Sequence, residues 1–232
     1  MKKLAVFLCT TLLVLSVAKI GMAVPIDIKN SSFELPKLQE TEFVRSIQDW
    51  TLSYGVAQGT WHPPDYAFVG ALPSGSNVAY LNMTVNLNES FIEQHIEGEQ
   101  LIPYATYTLQ VEVGYSNLTP FGAYKVLFGI GDPGGGFVTL AWDANTDVDA
   151  GEFITSTVTY TANPDDQSLL GRTLGIQLWN LGGENTQVTY DNVRLDVSLV
   201  QPVPEPATML LVGAGLIGLA GIGRGRFRKS NT

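Results

Sequence analysis

The sequence has few of the residues that carry most enzyme chemistry. It contains one cysteine, Cys9, and two histidines, His62 and His95, among 232 residues. Cys9 lies in an apolar N-terminal run, and a chain that has lost this run has no thiol. The mature chain then has no disulfide, cysteine metal site or cysteine nucleophile. The motifs Gly-x-Ser-x-Gly and His-Glu-x-x-His are also absent, and we therefore expect a protein that is not an enzyme.

Basic residues are scarce as well, and most of them lie at the two ends of the chain. Residues 24–202 contain 21 acidic and six basic residues, which gives this segment a formal charge of −15. Such a surface repels nucleic acid and anionic lipid. Neutral glycans, divalent cations and basic proteins are compatible partners, and no nucleic acid is expected.

The N-terminus has the pattern of a cleavable secretory signal. Lys2 and Lys3 precede an apolar run from Leu4 to Ala18, and small residues follow at Gly21 and Ala23. A positive start, a short apolar core and a small-residue cleavage site are typical of a signal peptide. We therefore predict a signal peptide at residues 1–23 and an exported chain that begins near Val24.

The C-terminus, residues 203–232, has three parts. A Pro-Glu-Pro motif comes first, an apolar run follows at residues 207–223, and a basic tail ends the chain. As a helix the run would be about 26 Å long, enough to cross a thin bilayer, and the basic tail would stay in the cytoplasm. The residues of the motif and the tail are Pro204, Glu205 and Pro206, and Arg224, Arg226, Arg228 and Lys229.

This ending resembles the PEP-CTERM sorting signal of bacteria that make exopolysaccharide. The resemblance implies cleavage near Pro204–Pro206 by an exosortase-type membrane enzyme. It also implies delivery to the cell surface or the extracellular matrix after a transient membrane-anchored stage. An ordinary C-terminal membrane anchor is the alternative, and both interpretations place the preceding domain outside the cell.

Strand patterns dominate the segment between the two signals. Residues 107–113 alternate apolar and polar side chains, as a half-buried strand does. Glycine and proline clusters separate this run from others like it. We therefore predict one all-β domain at 24–202, an antiparallel β-sandwich. The other predicted strands are 50–54, 76–83, 91–96, 123–130, 153–160, 174–179 and 188–197.

The order of these segments resembles the galactose-binding-like jelly roll of many carbohydrate-binding modules. The resemblance lies in residues 30–34, 47–50, 107–109 and 188–195. It implies a structural calcium ion that ties the two chain ends together, with Glu34 and Asp191 as its ligands. The alternative is that Glu34 caps a turn and Asp191 accepts hydrogen bonds from loop amides.

The aromatic residues are candidates for a glycan site, because a sugar ring stacks on an indole or phenol face. Trp61 lies in a proline-rich segment, Gly59–Tyr66, where a large ring is hard to bury. We therefore predict that Trp61 and Tyr66 are exposed and bind glycan. The strand patterns place Trp50 and Trp179 in the core instead.

These features together predict an exported surface or matrix protein with a β-sandwich that binds exopolysaccharide. A structural or adhesive domain that contacts proteins and binds no sugar is the alternative. A glycoside hydrolase is the third possibility, because the many acidic residues allow a pair of carboxylates.

Overall fold

The computed structural model describes residues 23–53, 57–83, 90–132 and 135–199. The predicted signal peptide, except Ala23, the Pro-Glu-Pro motif, the apolar C-terminal run and the basic tail lie outside these residues. Residues Met22–Val200 form one compact unit. No helix in the described ranges is long and apolar enough to span a membrane.

Twelve strands and one short 3-10 helix, Asp65–Ala67, make up the regular structure of the described residues. The strands are β1 (Val24–Ile26), β2 (Phe43–Val44), β3 (Thr51–Leu52), β4 (Ala57–Trp61), β5 (Val78–Asn82), β6 (Ser90–Gln100), β7 (Ala105–Gly114), β8 (Tyr124–Ile130), β9 (Val138–Asn145), β10 (Phe153–Thr161), β11 (Thr173–Asn180) and β12 (Gln187–Leu199).

The strands form two antiparallel sheets. The seven-stranded sheet has the order β10-β7-β12-β5-β4-β2, with β1 paired to β12, and the five-stranded sheet has the order β3-β6-β11-β8-β9. From β5 to β8 the chain alternates between the two sheets at each step, and it does so again from β10 to β12. This architecture confirms the predicted all-β antiparallel sandwich of jelly-roll type.

Alternation along each strand fills the space between the sheets. On β7, Tyr107, Leu109, Val111 and Val113 point inward and are almost fully buried. The residues between them are only partly buried. Leu174, Ile176 and Leu178 of β11 meet them from the opposite sheet, in the same apolar cluster. The core therefore forms from the two inner faces, as the period of two in the sequence predicts.

Four strands were not predicted from the sequence: β1, β2, β4 and β9. The first two are short, and β4 places polar residues, Gln58 and Thr60, at buried positions. The proline-rich segment Gly59–Tyr66, in which no strand was predicted, therefore begins within a strand, because Gly59–Trp61 belong to β4. Trp50 lies in the core as predicted.

Trp179 is not in the core. It lies on the outer face of the five-stranded sheet and stacks on Phe91, with ring centroids 4.5 Å apart. Alternation along β11 explains this position. The core residue Leu178 precedes it, so Trp179 points to the opposite side, together with Gln177.

Candidate functional site

A cleft lies on the outer face of the seven-stranded sheet, at the end formed by β2, β4, β5 and β12. Antiparallel Cα partners project from the same face of a sheet. Phe43 pairs with Trp61, Gly59 with Tyr80, and Asn82 with both Ala57 and Gln187. The cleft has a volume of about 230 Å³. Its lining consists of Phe43, Arg45, Ala57, Trp61, Tyr80, Asn82 and Gln187.

Aromatic rings form the walls of this cleft. Phe43 is 60% exposed, and its ring meets that of Tyr80 edge to face at 6.1 Å. Trp61 was predicted to be exposed but is partly buried, because its ring packs 6.3 Å from that of Phe68. Three rings from three strands thus border one depression, and they offer flat apolar surface to a ligand.

Polar groups complete the cleft. The Oδ1 atom of Asn82 and the Nε2 atom of Gln187 are buried and have no hydrogen-bond partner among the described residues. Unpaired buried polar atoms are costly to the fold, so these two amide groups are candidates for hydrogen bonds to water or a ligand. The guanidinium group of Arg45 adds a positive charge at the same place.

Gly59 shapes one side of the cleft. A Cβ atom at this position would lie 1.7 Å from the carbonyl oxygen of Val44, so only glycine lets the end of β2 cross so close to β4. After Val44 the chain continues beside β4, since Thr60 N donates to the carbonyl oxygen of Ser46. This close approach places Phe43 and Arg45 on the border of the cleft.

The predicted partner of Trp61 is not in the cleft. Tyr66 lies in the 3-10 helix and is 70% exposed, as the sequence predicts. Its backbone carbonyl accepts a hydrogen bond from Asn117 Nδ2 at 3.3 Å. The side chains that line the cleft with Trp61 do not include Tyr66. The structure therefore assigns Trp61 and Tyr66 to separate surfaces.

Sequence reasoning missed five of the cleft residues: Phe43, Arg45, Tyr80, Asn82 and Gln187. They come from three strands that are distant in sequence. Only the register of β2, β4, β5 and β12 brings them together. No local motif marks that register.

The structure does bring Glu34 and Asp191 to one loop. Asp191 Oδ2 accepts a hydrogen bond from Ser74 N at 2.8 Å, and Glu34 Oε1 accepts from Ser76 N at 2.9 Å and from Asn77 N at 2.8 Å. The loop Ser74–Asn77 thus ties the N-terminal Glu34 to the last strand. These bonds match the amide-binding alternative of the sequence analysis, and they also hold two carboxylates near each other.

Asp191 is fully buried, and this burial raises the pKa of its carboxyl group from 3.8 to about 8. The backbone amides of Ser74 and Asn192 lower the pKa, while the charges of Glu34 and Glu112 raise it. The Asp191 carboxyl therefore holds a proton at neutral pH unless a cation offsets the burial.

The oxygen atoms around this loop fit a calcium ion. Two carboxylates face the loop, and the Oδ1 atom of Asn77 is buried without a hydrogen-bond partner among the described residues. Calcium takes six to eight oxygen ligands at flexible geometry. The described residues contain no group of three or more His, Cys, Asp or Glu side chains arranged for a metal. Amide or backbone oxygens, or water, would have to complete the ligand set.

A second polar cluster lies on the outer face of the five-stranded sheet. Glu93 Oε1 is 2.7 Å from His95 Nε2, and Glu93 Oε2 accepts a hydrogen bond from Gln177 Nε2. Gln177 Oε1 in turn accepts from Trp179 Nε1 at 3.0 Å. This network lies away from the cleft and orders the side chains of that face.

The chain thus forms an antiparallel β-sandwich with an aromatic cleft on one sheet. The HpiC1-like family model, described as HpiC1 cyclase, matches residues 24–196. The chain therefore belongs to the HpiC1-like family. The PEP-CTERM protein-sorting motif matches residues 202–228, which confirms the predicted sorting signal and indicates an exported protein.

Solved structures of cyclases match the chain over most of its length. The Stig cyclase Fisc from Fischerella sp. TAU, in complex with (3Z)-3-(1-methyl-2-pyrrolidinylidene)-3H-indole, is 29% identical, with a TM-score of 0.69. The match covers 78% of this chain and 100% of the cyclase. A cyclase from Fischerella sp. TAU in complex with 4-(1H-indol-3-yl)butan-2-one is also 29% identical, with a TM-score of 0.68. That match covers 77% of this chain and 100% of the other.

A xylan-binding domain of Paenibacillus barcinonensis Xyn10C matches more distantly. It is 11% identical, covers 80% of this chain and 100% of its own, and has a TM-score of 0.46, a likeness too distant to bear on function. No curated protein matches the chain.

Proposed function

We propose that this exported protein binds a polysaccharide chain in the cleft formed by Phe43, Arg45, Trp61, Tyr80, Asn82 and Gln187. The observation that carries the proposal is the combination of three aromatic rings, of which Phe43 is exposed and Trp61 partly buried, with unpaired side-chain amide atoms in one depression. Sugar rings require both features. Their C–H faces pack on aromatic rings, while their hydroxyl groups need hydrogen-bond partners.

The lining of the cleft favours binding over catalysis. Among the described residues that line it, none is an aspartate or glutamate. Glycoside hydrolysis needs a pair of carboxyl groups beside the scissile bond. Burial raises the pKa of the Tyr80 phenol, so this hydroxyl is a poor base at neutral pH. The described cleft thus offers ligand contacts without a suitable acid and base.

The sorting motif supports a location at the cell surface or in the extracellular matrix. Exosortase-type processing near Pro204–Pro206 would release the domain from a transient membrane-anchored form. A domain delivered along with exopolysaccharide meets that polymer at high local concentration. A weak and exposed glycan site is sufficient under such conditions.

The test is affinity electrophoresis of the full-length protein, in detergent, through gels that contain exopolysaccharide of the producing strain. We expect retardation of the unmodified protein and a roughly tenfold weaker interaction for Trp61→Ala, because the lost ring removes stacking area. Trp142→Ala is the matched control. Trp142 is 59% exposed on the other sheet and should not affect retardation. Unchanged mobility in every gel would shift the assignment to a protein-contact or structural role.

A cyclase is the second candidate function. It is favoured by membership of the HpiC1-like family and by the cyclase structures that bind indole compounds. An aromatic cleft also suits an indole ring. Incubation of the protein with 4-(1H-indol-3-yl)butan-2-one, followed by binding measurements, tests the site. Tight binding that Trp61→Ala abolishes, together with no retardation by polysaccharide, would favour this candidate over the first.

Calcium is the proposed structural cofactor. It would bind between Glu34, Asp191 and the loop Ser74–Asn77, and it would hold both carboxyl groups ionised. In an exported domain without disulfides, such a link between the first residues and the last strand restricts the unfolded chain. The buried and unpaired Asn77 Oδ1 supports this assignment.

A further inference from the structure

Arg45 stands out among the cleft residues because it is the one side chain with a formal charge in the described lining. Arg45 and Tyr80 line the same cleft. Burial raises the pKa of the Tyr80 phenol, and the positive charge of Arg45 acts against that rise. The guanidinium group therefore lies close to the aromatic wall on which a sugar ring would stack.

Three other basic side chains of the domain have partners within the described residues. Lys29 Nζ lies 3.1 Å from Glu97 Oε2, Arg194 Nη2 lies 3.6 Å from Glu112 Oε1, and Lys125 Nζ lies 4.9 Å from the centroid of Trp142. None of the ion pairs formed within the described residues includes Arg45. Lys37 and Arg172 are also absent from the ion pairs formed within the described residues, but of these three side chains it is Arg45 that lines the cleft.

We infer that the cleft selects a polysaccharide with carboxylate groups, such as one that contains hexuronic acid residues, and that Arg45 binds the carboxylate. The inference rests on the polysaccharide-binding function proposed above. The planar guanidinium fork matches a carboxylate with two parallel hydrogen bonds. In this arrangement Trp61 or Phe43 supports the ring, and Asn82 and Gln187 bind its hydroxyl groups.

The acidic surface of the domain does not prevent this selection. At physiological ionic strength the Debye length is about 8 Å, so salt screens the repulsion from distant carboxylates. A guanidinium in direct contact with a carboxylate is screened much less. The overall negative charge therefore slows the approach of an acidic chain, whereas Arg45 determines which sugar is held in the cleft.

The test is isothermal titration calorimetry of the full-length protein, in detergent, with two matched probes. One probe is an oligogalacturonate, and the other is the same oligosaccharide with its carboxyl groups reduced to neutral alcohols. We expect the acidic probe to bind about tenfold more tightly, since a charge-assisted pair of hydrogen bonds is lost with the neutral probe. Arg45→Gln should abolish that difference, and Arg45→Lys should keep only part of it. Arg194→Gln, an arginine outside the cleft, is the control and should keep the difference in full.

The possible results separate this inference from the function on which it rests. Equal binding of the two probes by the unmodified protein, lost in Trp61→Ala, would overturn the inference and leave polysaccharide binding intact. A preference for the acidic probe that persists in Arg45→Gln would also overturn it. Binding of neither probe, together with unchanged mobility in the exopolysaccharide gels, would overturn both.

Discussion

At the level of single residues, Asp191 has an environment that its sequence position does not reveal. The carboxyl group is fully buried on the outer side of the seven-stranded sheet, beneath the loop that contains Ser74. Two backbone amides, those of Ser74 and Asn192, donate to its oxygens. A buried carboxyl with hydrogen bonds but no cationic partner favours its protonated form.

This environment predicts a pH dependence of stability in the absence of calcium. The pKa of Asp191 is about 8 in the folded protein and near 3.9 in an unfolded chain. Between these values the folded state binds more protons, so the free energy of unfolding falls as the pH rises from about 4 to 8. Urea unfolding in EGTA at a series of pH values measures this slope.

Asp191→Asn should flatten this part of the profile, because the amide does not titrate. The variant also loses stability at every pH, since its NH₂ group cannot accept a backbone amide hydrogen. The quantity to compare between the two proteins is therefore the change of the free energy of unfolding with pH, not its absolute value. An identical slope in the variant and the unmodified protein would contradict the prediction.

At the level of elements, the short strand β2 forms one border of the cleft and depends on a single glycine. The carbonyl oxygen of Val44 occupies the space that a Cβ atom at Gly59 would need. Two residues of β2 pair with β4, so this strand has few hydrogen bonds to resist displacement. The β2 border of the cleft is therefore sensitive to any side chain added at Gly59 of β4.

Gly59→Ala should therefore displace β2 and weaken ligand binding. We expect a loss of stability of about 1–3 kcal/mol from overpacking, along with weaker retardation in exopolysaccharide gels. Chemical unfolding and affinity electrophoresis of the same preparations measure the two effects. Gly183→Ala is the control, because a Cβ atom at Gly183 would meet no atom within 4 Å. Full retention of polysaccharide binding by Gly59→Ala would show that the β2 border is not needed.

At the level of the whole molecule, the domain at residues 24–202 has a strongly negative formal charge, two sheets and no cysteine that could form a disulfide. Its first residues and its last strand meet twice. β1 pairs with β12, and Val193 N donates to the carbonyl oxygen of Ser31. The proposed calcium ion would add a third link between these regions, through Glu34 and Asp191.

Calcium should therefore raise the melting temperature of the protein. At a calcium concentration of a hundred times Kd the gain is about 2.7 kcal/mol. For a domain of this size that corresponds to a rise of roughly 5–10 °C. Differential scanning calorimetry with calcium and with EGTA measures the shift. Glu34→Gln should remove most of it, while Glu99→Gln, at an exposed position, should not. Equal melting temperatures with calcium and EGTA would rule out the calcium site.

The sequence was sufficient for the fold class and for most of the long strands. Alternation at 107–113 and 153–160 predicts β7 and β10 because side chains of a strand alternate between core and solvent. The same rule failed for β4, where Gln58 and Thr60 are buried and form hydrogen bonds to Ser90 and Ser46. Hydrophobic periodicity does not reveal a strand whose buried residues are polar and hydrogen-bonded.

The sequence by itself determined the C-terminal sorting signal, the acidic character of the domain and the two-sheet architecture. These properties depend on composition and on patterns among residues that are close together in the sequence. Only the tertiary structure decided the cleft. Phe43, Trp61, Tyr80 and Gln187 meet through the register of four strands, whereas Tyr66, in the 3-10 helix, does not line the cleft. Strand register is set by pairing between distant segments, so no local stretch of sequence specifies it.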